Sequence, residues 1–371
     1  MNFILIAALG AALSLPAAPV PSPASEWTQT GYGPGLTFYN PHETELTPSS
    51  VGTIKRRWDM ATHGSLECEV GREPLAGYGN IYTSDPGGVG AYDPATGKRR
   101  WHADLKRRGV KRMALADDTL VTLTYACDRQ QSYVTAFRAT TGTRLWDMPL
   151  SVPSQDMIVD RGVIVVDSRP DFEVSTVAHR LSSGARMWKL FGTRADGLLS
   201  AQGRLLLRAG TQGSRAVDIK TGATIWSSPE NWTAVGSNPS GSRFYVSRKD
   251  GGLAAIDAAN GNRAWDSEWQ VSAVTADDNR LYFPRGTSTI CVDARNGKKL
   301  WSIHLPNDAG QPVRAGKLVY SPSGMGDPLS IADAVTGKEY KGGMPSGEFY
   351  PPTVADGRLF LTDGSRLRAY F

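Results

Sequence analysis

Few residues of this 371-residue chain have the types and spacing for chemistry. His63 and Glu67, four apart, offer a metal ion one nitrogen and one carboxylate, with Arg72 close behind. The five histidines (His42, His63, His102, His179 and His304) form no pair at ligand spacing, and no Cys-x-x-Cys-His run is present. No resident metal is therefore expected, and haem attachment is excluded. From Lys98 to Arg112, eight of fifteen residues are Lys or Arg, a composition that suits a polyanion. Charges abound, yet none falls into a recognised catalytic spacing, so no catalytic residue is predicted. Asn231-Trp232-Thr233 matches a glycosylation acceptor, relevant only to a eukaryotic export route.

What must position these residues is a repeat. Ala91-Tyr92-Asp93-Pro94-Ala95-Thr96-Gly97-Lys98-Arg99-Arg100-Trp101 reads as strand, turn and strand, with Pro94 presetting φ and Gly97 in the left-handed position. Aligned on the glycine, the pattern returns at Gly142, Gly184, Gly222, Gly261, Gly297 and Gly337, in steps of 36 to 45 residues. Four residues after the glycine stand Trp101, Trp146, Trp188, Trp226, Trp265 and Trp301, with Lys341 out of line in the last copy. The slot four before it holds Asp93, Asp218, Asp257, Asp293 and Asp333, but Arg138 and Arg180 in two copies. Between these hairpins lies a second signal, a Gly, Asp or Asn turn running into an apolar strand, as in Gly162-Val163-Ile164-Val165.

Each unit thus holds four short strands, A to D from the axis outward, which predicts an all-β, eight-bladed β-propeller of four-stranded antiparallel blades. The eighth unit ends with the chain at Arg366–Phe371 and lacks its outer strand. Val51–Trp58 carries a seventh aligned tryptophan, Trp58, so this N-terminal strand is expected to pair with the C-terminal blade and close the ring. The tryptophans, Trp58 included, are read as structural blade-docking residues, each burying a large apolar surface.

The architecture splits the basic run. Lys98 to Arg100 belong beside a C–D turn and Lys106 to Arg112 after strand D, and eight strand residues separate the two ends by roughly 26 Å. Arg107, Arg108 and Arg112 are the better binding candidates. Three cysteines are odd for an exported chain; Cys291 fills a slot held elsewhere by alanine and reads as a buried free thiol. Cys68 and Cys127 fall in connections that leave neighbouring blades on one face, which predicts a Cys68–Cys127 disulfide.

The Ala-x-Asp-x-x-Thr-Gly-x-x-x-Trp pattern resembles the tryptophan-docking repeat of pyrroloquinoline-quinone (PQQ)-like propellers. That family includes quinoprotein dehydrogenases, the propeller lipoprotein of the outer-membrane β-barrel assembly machinery, and secreted bacterial propellers. The resemblance covers the chain from about residue 39 to the end, and Tyr39–Pro48 is similar to the lead-in of secreted members. It implies that each indole wedges over a glycine of the neighbouring repeat. It also implies that the face bearing the D–A and B–C connections is the ligand entrance, which places His63, Glu67, Arg72, Arg107, Arg108 and Arg112 there.

Residues 1–24 read as a signal peptide: an apolar run, then Pro, Ala and Ser, with Ser22 and Ala24 at the small-residue positions of a cleavage site. The run is shorter than the about 20 residues a spanning helix needs. Residues 25–50 form a lead-in and 51–371 the propeller. Net charge is +5, too mild to demand a polyanion, and no nucleic-acid partner is expected. The expected protein is a secreted or extracytoplasmic, monomeric, non-enzymatic module that binds a protein or an envelope polymer, with at most peripheral membrane association. No cofactor is expected on that reading. The alternative from the resemblance is a PQQ- and calcium-dependent alcohol or sugar dehydrogenase; neither the adjacent cysteine pair of the alcohol dehydrogenases nor a calcium set is matched in this sequence.

Overall fold

The computed structural model describes residues 26–62, 73–106, 108–126, 128–168, 174–195 and 197–371. Eight antiparallel sheets succeed one another along the chain, seven with four strands and one, blade 7, with a fifth. Blade 1 shows the plan: strand A is Leu75–Gly77, B is Asn80–Asp85, C is Gly88–Tyr92 and D is Arg99–Asp104. The A strands of neighbouring blades, those of blades 1 and 2, 2 and 3, and 8 and 1 among them, touch around the axis. The B strands are buried on both faces because each blade is sandwiched between two others, hence their near-continuous apolar runs such as Val163–Ser168. The D strands alternate exposed and half-buried residues, as the outer edge should.

The ring closes as the repeat demands. Arg56–Ala61 pairs antiparallel with Arg366–Tyr370, and Trp58 lies opposite Ala369. The C–D turns explain the Asp and Gly slots. Asp93 accepts the N–H groups of Ala95 and Thr96 at 3.0 and 2.9 Å, and Asp218 and Asp333 do the same two and three residues on. Where blade 2 has Arg138 instead, Asp118 of the preceding turn takes the Thr140 N–H at 3.2 Å and the Arg138 guanidinium at 3.1 Å.

Each docking indole sits on the turn glycine of the next blade. A Cβ on Gly142 would lie 2.6 Å from the Trp101 ring, and one on Gly97 2.8 Å from Trp58, so this slot admits only glycine, which also has positive φ there. Six of the seven indoles donate to the carbonyl three residues before that glycine, Trp58 to Pro94 at 3.0 Å and Trp188 to Ile219 at 2.9 Å among them.

Residues 26–43 form a strap that crosses the A–B ends of the A strands and visits all eight blades in order. Trp27 bridges Ala76 of blade 1, the Thr28 carbonyl accepts from Leu115 of blade 2, and the Gln29 amide clasps both backbone groups of Val159 in blade 3. The carbonyls of Pro34, Gly35 and Thr37 accept from Ser200, Ser237 and Ala276 in blades 4 to 6. Tyr39–Asn40 then adds a parallel strand to blade 7, while Asn40 Nδ2 reaches the Val354 carbonyl of blade 8 at 2.8 Å. Tyr32, Leu36 and Phe38 adopt positive φ, strain that persists because so many contacts fix the path. Among the described residues no helix is long and apolar enough to cross a membrane.

Candidate functional site

The strap lies across one end of the axis, and the D–A and B–C connections emerge at the opposite face. A cavity of about 130 Å³ lies there, with Gln29, Thr30, Leu36 and Phe38 of the strap as its floor. Its charged wall comes from Arg112 on strand A of blade 2 and Asp156 on strand A of blade 3. Each residue sits at a β-bulge, a device that re-aims side chains. Arg112 Nε meets Asp156 Oδ1 at 2.8 Å, and its Nη1 donates to the Lys111 carbonyl at 3.1 Å. The Asp156 carboxylate beside it pushes the guanidinium further above its ordinary pKa. Although protein surrounds them, the side chains remain 38% and 28% exposed, which marks a wet concave site rather than a dry core pair. The facing wall is made of small and apolar residues, among them Gly197, Ala234 and Ala273.

Glu73, just ahead of strand A of blade 1, stands beside this pair. Burial raises its pKa, while Arg112 and the Thr30 hydroxyl and Gly31 N–H of the strap hold it down less effectively. Its Oε2 has no hydrogen-bond partner among the described residues. A second concavity, an open groove of about 540 Å³ between blades 5 and 6, adjoins the first through Ser272. Ser247, Lys249, Asp250 and Gln270 line it.

Of the residues singled out from sequence, His63, Glu67, Arg72, Arg107, Cys68 and Cys127 lie outside the described residues, and with them the Cys68–Cys127 pairing. Arg112 reaches the axial cavity. Arg108 does not: its guanidinium stacks 3.6 Å from the Tyr133 ring centroid and pairs with Asp147 at 2.8 Å, tying blade 1 to blade 2. Cys291 is a buried free thiol whose pKa burial pushes up to about 12, so it is inert as a nucleophile. Sequence reasoning missed Asp156, which no spacing links to Arg112, and a cluster in blade 1. There Tyr92 donates to the buried Asp85, which also meets His102 Nδ1 at 2.9 Å, and Gly90 leaves room for the ring. Among the described residues no three His, Cys, Asp or Glu gather as a metal would need.

A closed eight-bladed ring of docked Trp–Gly repeats with an axial site defines a propeller of the PQQ-like class. Within that class, the chain belongs to the family described as outer membrane protein assembly factor BamB, whose model matches residues 85–194, 170–283 and 285–370. A search of curated protein sequences returns no match. Among solved structures, BamB from Moraxella catarrhalis aligns with TM-score 0.64 and 16% identity over 86% of this chain and 99% of its own. The quinohemoprotein alcohol dehydrogenase of Comamonas testosteroni aligns with TM-score 0.71 and 13% identity over 94% of this chain and 81% of its own. The computationally designed Ika8 protein reaches 0.63 and 12%, over 84% and 99%. An assembly factor, a dehydrogenase and a designed protein share the ring, so at these identities likeness describes fold alone.

Proposed function

We propose that the protein is a non-enzymatic extracytoplasmic binding module, a monomeric ring that presents its D–A and B–C face to an envelope protein or polymer. The observation that carries this reading is the strap, which leaves about 130 Å³ at the axis, well below the roughly 300–1,000 Å³ of ordinary cofactor pockets. The donor set agrees. Calcium takes about six to eight oxygen ligands, whereas the cavity offers one carboxylate, Asp156, already joined to Arg112. Among the described residues the axial site therefore does not fit PQQ with calcium, and no redox step is derived through them. Seven indole-docked interfaces and a strap bonded to every blade suit a rigid platform, which binds without the entropic cost of ordering itself.

The test is to add PQQ and calcium to the purified protein and follow thermal stability and dye reduction with alcohols and aldoses. Neither should change. Saturable, PQQ-dependent dye reduction would overturn the reading in favour of a quinoprotein dehydrogenase.

A further inference from the structure

We propose that the face crossed by the strap docks on an anionic lipid bilayer, with the axial cavity turned away from the membrane. The proposed function uses the opposite face, so this inference goes beyond that reading and stands apart from it.

The C–D turns lie on the strap side. In blades 2 to 7 the second residue of each C–D turn donates its N–H to a carbonyl of the A–B turn of its own blade, Ala139 to Asp118 and Leu181 to Gly162 among them, both at 2.9 Å. From the Asp slot to the residue ahead of the tryptophan slot, the seven turns hold thirteen Lys or Arg against six Asp or Glu. That surplus of seven exceeds the +5 of the whole chain, so the remainder is net acidic and the molecule is electrically two-sided. Neighbouring residues leave the surplus standing. The A–B corners carry six bases and six acids, and Lys55, Arg56 and Arg57 of blade 8 offset Glu26, Glu43 and Glu45. Five of the six turn acids are the slot aspartates, each folded back onto N–H groups of its own turn. By contrast Lys98, Arg144, Arg186, Lys220, Lys298 and Lys338, one from each of six blades, are exposed and make no ion pair among the described residues.

The same turns carry most of the exposed apolar side chains. Among the described residues seven large ones are exposed, and five of them, Leu145, Met187, Ile225, Leu300 and Val335, belong to these turns. The first four share one slot, directly ahead of the docking tryptophan. The indole points into the blade interface, so its neighbour on the strand points the other way, at the rim of the strap face. Cations with apolar groups between them match the interface of an anionic bilayer, which takes both, whereas a soluble polyanion gains nothing from leucine or isoleucine. Because these features recur around the ring instead of marking one sector, they fit a plane of uniform charge better than a protein partner.

Flotation measures binding of the whole protein, purified from its own cells, to vesicles of phosphatidylcholine and to vesicles with about one-third phosphatidylglycerol. The anionic vesicles should bind at least about tenfold more tightly at low salt and lose most of that advantage at about 0.5 M salt. Any contribution of the apolar N-terminal run is common to both vesicle types and to every variant. Lys98→Ala and Lys338→Ala should each weaken binding to the anionic vesicles about two- to fivefold. Lys106→Ala, in the same basic run as Lys98 but at the other end of strand D, should change nothing. Leu145→Ser combined with Leu300→Ser, both at exposed sites, should weaken it about tenfold. Equal binding to the two vesicle types, or an equal loss from Lys106→Ala, would overturn the proposal. Tight binding of soluble polyphosphate, with full vesicle affinity in the double leucine variant, would overturn it in favour of a soluble polyanion. Each of these results leaves the binding-module reading standing, whereas PQQ-dependent dye reduction would remove that reading and leave the vesicle measurements as they are.

Discussion

Seven of the eight blade interfaces carry a tryptophan on a glycine; the eighth, between blades 7 and 8, carries neither. Blade 8 takes its strands C and D from opposite ends of the chain, so it has no C–D turn and no turn glycine for an indole to cover. Lys341 in the tryptophan slot of blade 7 is the matching half of that change, and the outer strand there shrinks to Glu339–Tyr340. N-terminal residues hold this seam instead. Val51 is fully buried, Glu43 accepts from the Gly357 N–H at 3.1 Å, and Asn40 bonds the Val354 carbonyl. A repeated interface can be stabilised by a repeated residue; a seam made by chain ends must be stabilised by residues that occur once.

The largest effect that tests this contrast is Trp226→Ala, which should cost about 3–5 kcal/mol as a large-to-small change, against less than about 0.5 kcal/mol for Lys341→Ala. Urea unfolding of both variants measures it, and equal losses would erase the distinction between the two kinds of interface. A finer comparison lies among the docked interfaces themselves. Trp301 Nε1 has no hydrogen-bond partner among the described residues, whereas Trp226 Nε1 reaches the Ala258 carbonyl at 3.0 Å. Trp226→Phe should therefore cost about 1 kcal/mol more than Trp301→Phe, the net worth of one hydrogen bond.

The smallest effect concerns the seat of the strap. Burial raises the Glu73 pKa, so the native state holds its proton more tightly than the unfolded chain does. That contribution is complete below the unfolded carboxyl pKa and is lost as pH rises through the native one. Glu73→Gln keeps the neutral shape, so its urea midpoint should exceed that of the native protein by a margin that widens from acid to neutral pH. Parallel midpoints across the range would show that folding leaves the Glu73 pKa where the unfolded chain has it.

The ring was legible because its defining contacts recur. One glycine and one tryptophan recur in seven copies and the turn-and-strand signal in eight, which predicts the blade count, and Trp58 predicts the closure, since indole stacking needs the same two residue types each time. The axial site was only half legible. Arg112 drew attention as part of a basic run, but its partner Asp156 lies 44 residues away and the Arg108 beside it proves to be an inter-blade brace. Nothing in the sequence marks the path of residues 26–43, because most of their contacts to the blades are made by backbone carbonyls, which any residue supplies. The side chains that contribute, among them Gln29, Asn40 and Glu43, are single groups with no repeat to reveal them.

That path has a consequence for the order of events in folding. Residues 26–43 leave the ribosome before any strand of the ring exists, yet their partners run as far as Gly357. The earliest-made segment must wait for the last-made blade, so its docking is a late step with long loops to close, and ring formation should finish slowly for the chain's size.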